Sequence, residues 1–213
     1  MTSPQALRLQ EILGKSEKLF GRRLSETDLQ RFSTYYQLVL KWNDRLHLTT
    51  ITQPLAFAER HIFESIFAES HLLPNIRKMW DFGSGLGVPG LPIALLRPDL
   101  SIVLVEANKK KAIFLKEAID SLELVNTTIL NQRFESIGEI EPESCVTVRA
   151  IEQMSQLIPK ILMTGKPDTQ FLLFGSGETE SNILKILPPN CRIQSFLIPF
   201  SHNRFLISLD SST

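Results

Sequence analysis

Little in this chain of 213 residues points to export, to a membrane or to a metal centre. Cysteine is nearly absent. Cys145 and Cys191 stand alone, far apart and without nearby histidine pairs, which indicates neither a disulfide framework nor a zinc site. They read as two buried, reduced thiols of a cytoplasmic protein that carries no metal. No apolar run reaches membrane-spanning length, and the polar start Met1-Thr2-Ser3-Pro4-Gln5 lacks a signal-peptide pattern, so the expectation is a cytoplasmic chain without a membrane role. An excess of one charge is missing too. Lys and Arg number 23 against 23 Asp and Glu, which argues against a strongly basic nucleic-acid wrapper. The spread is slightly uneven, with 11 basic and 8 acidic residues in 1–80 and 12 and 15 in 81–213. Charge alone therefore selects no partner. There are no internal repeats and no low-complexity tract, and a hydrophobic share of 43% is ordinary for a globular chain able to bury a sizeable core.

What the chain does have is Asp81-Phe82-Gly83-Ser84-Gly85-Leu86-Gly87-Val88-Pro89-Gly90. The segment follows a short apolar run and opens onto Leu91, Ile93, Ala94, Leu95 and Leu96, which read as an apolar helix face. Its glycines let the backbone turn tightly and approach a ligand with no Cβ in the way. The following helix is expected to aim free N–H groups and its positive dipole end at the turn. Two occupants suit such a cradle. Gly85-x-Gly87-x-x-Gly90 satisfies the dinucleotide pattern, and Glu106 follows about 20 residues on, where a ribose-binding acid belongs. Against that, Asp81 precedes the first glycine by two positions, and the glycines run as Gly83, Gly85 and Gly87. This arrangement resembles the first motif of S-adenosylmethionine-dependent methyltransferases. An acid there suits a ligand carrying an amine and a sulfonium, and it would repel a pyrophosphate.

The first 75 residues read as helical. Leu7, Ile12, Leu13, Leu19 and Phe20 lie at helical spacings, and Gly21 ends that segment. Ser25-Glu26-Thr27-Asp28 forms a capping-box pattern ahead of Leu29, Phe32, Tyr36, Val39 and Leu40. Thr52 and Pro54 open a third helix carrying Phe57, His61, Ile62, Ser65 and Ile66. From residue 79 the rhythm changes. Met79–Phe82, Ile102–Val105, Thr128–Leu130, Val146–Val148 and Phe171–Phe174 are strand candidates separated by helical stretches. The clearest of these is Asn108–Leu122, capped by Asn108 and facing inward with Ile113, Phe114, Leu115, Ala118 and Ile119. Strands alternating with helices predict a mostly parallel, doubly wound α/β sheet. Ile193–Ile198 and Phe205–Leu209 follow with no helix between them and fit a terminal hairpin. The predicted architecture is a Rossmann-like class I methyltransferase domain over residues 76–213. Its seven-stranded sheet ends with one antiparallel strand, and a helical extension over residues 1–75 packs on its core.

Several motifs, taken in order, extend the likeness. Lys41-Trp42-Asn43 with Leu48-Thr49, Arg60-His61-Ile62-x-x-Ser65, Asp81–Gly90 with Pro92, Arg97-Pro98, Lys109-Lys110-Lys111 with Phe114-Leu115, and Arg149-Ala150 together resemble one family. It is the bacterial small-subunit ribosomal RNA guanine-N7 methyltransferases, also known as glucose-inhibited division protein B. The resemblance covers roughly residues 30 to 175. It implies methyl transfer from S-adenosylmethionine to N7 of one guanine in 16S ribosomal RNA, with the RNA or the small ribosomal subunit as partner and a monomeric protein. By position it implies that Gly83, Gly85 and Val88 line the methionine and ribose side of the cofactor. Glu106 would accept from the ribose hydroxyls, Phe134 and Glu135 would contact the adenine, and Arg149, at the end of the fourth strand, would lie close to the cofactor and the target base as the catalytic residue. Lys109–Lys111 is a credible phosphate contact, because three cations at a helix N-terminus oppose the dipole. His61 reads as a hydrogen-bonded structural histidine.

The chain also departs from that pattern. His47 stands where asparagine is usual, Glu106 replaces an aspartate, Val148 replaces a serine, Phe174 replaces a lysine, and Phe205 replaces a histidine beside a retained Arg204. Losing a cation at Phe174 should weaken phosphate binding. The cofactor half of the pattern is thus better kept than the RNA half. The alternatives to the ribosomal enzyme are a diverged S-adenosylmethionine enzyme with another RNA, a protein or a small molecule as acceptor; a binding module without chemistry; and a dehydrogenase, for which the chain offers no convincing second domain.

Overall fold

The computed structural model describes residues 3–149, 154–187 and 191–211. The amino-terminal helices are α1 (Pro4–Leu13), α2 (Ser16–Phe20), α3 (Glu26–Leu46), α4 (Pro54–Phe57) and α5 (Glu64–Glu69), the last two joined by a π-helical segment, Ala58–Phe63. The seven apolar runs are the seven strands: β1 (Lys78–Phe82), β2 (Ser101–Val105), β3 (Thr127–Leu130), β4 (Ser144–Arg149), β5 (Gln170–Gly175), β6 (Cys191–Leu197) and β7 (Phe205–Ser211). Helices α6 (Gly90–Leu96), α7 (Lys109–Ser121), α8 (Met154–Leu162) and α9 (Gly177–Leu184) follow β1, β2, β4 and β5, while β3 and β4 are joined through a short 3-10 turn, Phe134–Ser136.

The strands form one sheet in the order β3-β2-β1-β4-β5-β7-β6. β1 to β5 pair in parallel, and β7 enters antiparallel between β5 and β6. The expected hairpin exists, with its second strand tucked inside the sheet so that β6 forms the edge. Order reverses between β1 and β4, and the carboxyl ends of those two strands flank a crevice where α/β sheets bind ligands.

Strand alternation sorts side chains onto two apolar clusters. Met79, Ile102, Leu104, Cys145, Leu172, Phe174 and Leu206 face a cluster shared with Ala6, Leu9, Phe32, Tyr35, Phe57, Ile62 and Ile66 of the amino-terminal helices and with Leu91 and Phe114. Phe82, Val103, Val105, Val146, Val148, Leu173 and Ile207 face the other side, with Ile158, Ile161 and Ile183. One continuous apolar cluster therefore joins the first 75 residues to the sheet. Each buried Leu, Ile or Phe side chain in it contributes about 1.5–3 kcal/mol.

The capping box forms as the pattern predicts, with the Ser25 hydroxyl accepting from the Asp28 N–H and Asp28 accepting from the Ser25 N–H. Asn108 likewise accepts from the N–H groups of Lys110 and Lys111. Three readings are corrected. Leu7 and Leu19 are 55% and 47% exposed, because the buried stripe of α1 runs through Ala6, Leu9, Ile12 and Leu13 and Leu7 lies one residue round from it. Ile113 is 59% exposed, since Ala112, Phe114, Leu115 and Ala118 fill the inner face of α7. Thr52 caps nothing; Pro54 starts the third helix after Gln53, and the Thr52 carbonyl accepts from the Tyr36 hydroxyl at 2.5 Å.

Candidate active site

The glycine loop leaves β1 and crosses the carboxyl end of β2. The Gly83 and Ser84 N–H groups donate to the Val105 carbonyl at 2.9 and 3.1 Å. Gly83, Gly85 and Gly87 take φ values of +70°, +57° and +93°, a region costly for residues with a Cβ. Gly90 is required by space, since a Cβ there would stand 2.3 Å from Leu104 Cδ2 and 2.9 Å from Asp81 Oδ2. The Leu86 carbonyl accepts from the Tyr35 hydroxyl at 2.8 Å. Tyr35 thus ties α3 to the loop.

Two expectations about this loop change. The first-turn N–H groups of α6 are not free: Gly90 donates to Asp81, Leu91 to Gly87, Ile93 to Pro89, and Pro92 has none. Ligand contacts must come from the loop itself. Asp81, 1% exposed, also looks inward, accepting from the Thr147 hydroxyl at 2.9 Å and the Gly90 N–H at 3.3 Å. Burial pushes its carboxyl up to about 6, with Thr147 pulling it down. Asp81 braces the loop rather than facing a ligand.

A cavity of about 470 Å³ opens beside the loop. It is lined by Gly83, Ser84, Gly85, Leu86 and Val88 of the loop, by the segment Leu48, Thr49, Thr50 and Ile51, by Arg60, His61 and Lys111, and by Arg149, Phe174, Gly175, Ser176 and Arg204. Of the residues singled out by sequence, Gly83, Gly85, Val88 and Arg149 meet here. Glu106 sits at the loop's edge, 8% exposed, with one oxygen accepting from the Gly85 N–H at 2.8 Å and the other from the Asn108 N–H at 2.7 Å. Phe134 is buried and stacks on Phe82, centroids 5.5 Å apart. Glu135 lines a separate cavity with Ile137, Lys160 and Met163. The structure does not bring these two to the glycine-loop cavity, although Phe82 directly precedes Gly83. Among the three lysines, Lys111 reaches the cavity.

Arg149 ends β4 beside Phe174 of β5, its register partner. Its guanidinium lies over the Phe174 ring at 5.6 Å, within cation–π range. Its Nη2 donates to the Arg60 carbonyl at 2.5 Å and lies 3.1 Å from Glu64 Oε2, while Nη1 is buried with no hydrogen-bond partner. Burial pushes the guanidinium down to about 10, with Glu64 pulling it up, so it stays charged at neutral pH. Glu64 is only 2% exposed and also binds Arg204, with Oε2 2.5 Å from Nη2, and lies 3.5 Å from Arg60 Nε. Sequence reasoning missed Glu64. The available signal was its place four residues after Arg60, one helical turn on. His61 is buried, 3.2 Å from the Thr49 hydroxyl and edge-on to Phe57. Burial and the neighbouring arginines push its pKa down to about 3, so it is neutral.

His47, the other departure in the amino-terminal region, closes α3 in the left-handed region at φ +46°. Asparagine and histidine both enter that region more readily than most residues, which explains the exchange.

Comparison with known proteins settles the family. The profile described as rRNA small subunit methyltransferase G matches residues 28–198. The chain belongs to this family. It is 34% identical over 153 residues to the ribosomal RNA small subunit methyltransferase G of Chloroflexus aggregans, spanning 70% of this chain and 64% of that protein. It is 32% identical over 170 residues to the protein of the same name from Nitrosomonas eutropha, spanning 78% of each. The first of these matches thus spans just under two thirds of the relative's length. Among solved structures, a ribosomal protein L11 methylase from Lactobacillus delbrueckii subsp. bulgaricus superposes with a TM-score of 0.57 at 11% identity, covering 70% of this chain and 78% of that one. That likeness supports the Rossmann-like methyltransferase fold. No helix among the described residues is long and apolar enough to cross a membrane.

Proposed function

We propose that this chain transfers a methyl group from S-adenosylmethionine to N7 of a guanine in the 16S RNA of the small ribosomal subunit, acting in the cytoplasm as a monomer built from a helical extension, 1–75, and a catalytic domain, 76–213. The observation that carries the reading is the composition of one cavity. Its glycine loop suits a cofactor, and Arg60, Arg149, Arg204 and Lys111 in the same lining suit a polyanion.

The residues present fit the cofactor. Gly83 and Gly85 bring bare backbone to the cavity, and Glu106 has used two of its roughly four lone-pair positions, which leaves acceptors for ribose hydroxyls. Gly83, Gly85 and Val88 would flank the methionine and ribose, whereas Phe134 and Glu135, the expected adenine contacts, lie outside this cavity. When bound, S-adenosylmethionine supplies an electrophilic methyl group on its sulfonium. Guanine N7 carries a free lone pair, so no proton has to leave before attack, and the neutral, hydrogen-bonded His61 is not needed as a base. The chain's task is positioning. Apolar Leu48, Ile51, Leu86 and Phe174 limit water in the cavity, Arg60, Arg204 and Lys111 hold phosphate, and Arg149 orients the guanine, which must be exposed or turned out of its stack.

A second reading, a related enzyme with a different acceptor, draws on Phe174, an apolar ring where the family pattern has a lysine. Incubation with methyl-labelled S-adenosylmethionine and unmethylated small subunits, followed by nucleoside analysis, separates the two. Label in 7-methylguanosine is expected. Label in another nucleoside, or none in RNA from a folded, cofactor-binding protein, would move the assignment to the second reading.

A further inference from the structure

We propose that Glu64 is the positioning residue of this site: its buried carboxylate gathers Arg149, Arg204 and Arg60 and holds Arg149 in the orientation that methyl transfer requires. The inference rests on the reading of Arg149 above and extends it to a side chain outside the cavity wall. Glu64 lies in α5 at the end of the π-helical segment, whereas its three partners come from that segment, from the end of β4 and from the residue before β7. Oε1 meets Arg204 Nη1 and lies 3.5 Å from Arg60 Nε, while Oε2 lies 2.5 Å from Arg204 Nη2 and 3.1 Å from Arg149 Nη2. All three arginines line the cavity and Glu64 does not. Four charged groups thus carry a net +2 with one anion at the centre.

The arrangement has a physical logic. Three guanidinium groups repel one another, and without a central anion they would separate toward water, the most exposed first. Arg60 and Arg204 have that freedom, with side chains 40% and 24% exposed. Arg149 does not, at 11%. It is held by Glu64, the Arg60 carbonyl and the Phe174 ring, with Nη1 left unpartnered. The π-helical segment Ala58–Phe63 carries Arg60 and ends directly before Glu64, and such widenings recur at functional sites.

The test is steady-state methyl transfer by Glu64→Gln, with the affinity for S-adenosylhomocysteine measured separately. Gln keeps the shape and removes the anion, so the cavity gains positive charge. The expected result is a kcat lower by about 100-fold, the scale of a misplacement near 1 Å, with a KM for the small subunit unchanged or lower and cofactor-product affinity within about twofold of wild type. A purely structural role would instead weaken cofactor binding and folded fraction together. Glu64→Asp, which restores the charge, is expected to recover most of the lost kcat. Wild-type kcat in folded Glu64→Gln would overturn the proposal, and so would a Glu64→Asp protein as slow as Glu64→Gln. Should Glu64→Gln fail to fold, the neutral pair Glu64→Gln/Arg149→Gln is compared with Arg149→Gln alone under single-turnover conditions. Equal rates are expected if Glu64 acts through Arg149, and a further loss in the double variant would overturn it. Absence of transfer by the wild-type protein would sink the functional reading instead, so the two failures are distinct.

Discussion

Replacing Asp81 by asparagine should stabilise the protein near neutral pH, contrary to the usual effect of removing a buried hydrogen-bonded acid. The carboxyl is fully enclosed, and burial raises it from 3.8 to about 6. A group whose folded value is raised contributes its full stability below the unfolded value and loses it as pH rises through the folded one. At 1.36 kcal/mol per unit, ionising Asp81 costs about 3 kcal/mol of stability above pH 7. Asparagine avoids that cost and can keep both contacts. Its amide oxygen can take the Gly90 N–H, while the Thr147 hydroxyl, 3.5 Å from the Trp80 carbonyl, turns to donate there and accepts from the amide nitrogen. The gap between Asp81→Asn and wild type should widen by about 1.4 kcal/mol from about pH 5 to about pH 8. Urea unfolding of both proteins across that range measures it, because titrations common to the two cancel in the difference. An asparagine variant less stable at every pH, or a gap independent of pH, would refute the reasoning.

Further expectations concern the loop and the cavity. Gly87→Ala places a Cβ 2.3 Å from Leu91 Cδ1 and 3.1 Å from Leu115 Cδ2 at φ +93°. Overpacking and strain together should cost about 2–4 kcal/mol, read as a lowered thermal midpoint; a midpoint equal to wild type would contradict the loop geometry. Arg149→Ala should lose most methyl transfer while remaining folded, since Glu64 keeps Arg204 and Arg60; unchanged turnover would remove Arg149 from the site. Phe174→Lys should steepen the salt dependence of RNA binding by about one unit of slope, and an unchanged slope would show that this position does not face phosphate. With His61 held down to about 3, transfer should show no inflection near pH 6.5, and an ascending limb there would point to a histidine base. For stability the sign is the reverse of Asp81: His61 contributes fully above about pH 6.5 and its contribution falls as pH drops toward about 3.

The sheet and the glycine loop were legible because their determinants are local. Short unbroken apolar runs such as Ile102–Val105, glycines where the backbone turns left-handed, and the Ser25/Asp28 cap need no knowledge of distant chain. Errors came where burial depends on phase against a neighbour, as at Leu7 and Ile113, both at helical spacing yet turned to solvent. The charge cluster was illegible for another reason. Glu64 meets Arg204 across 140 positions of sequence, and no periodicity records such a pairing. Arg149, Arg60 and Arg204 were each visible as residues, but not that one carboxylate joins them. The accounting at α6 was hidden in the same way: that Asp81 and Gly87 take the N–H groups a sequence reading assigns to a ligand follows only from the folded loop.

The most direct test of the account is a crystal structure of the protein with S-adenosylhomocysteine. The ligand is expected against Gly83, Gly85 and Val88, with its ribose hydroxyls on Glu106 and its sulfur toward Arg149. Density in the cavity lined by Glu135 and Met163 alone, with nothing at the glycine loop, would contradict it.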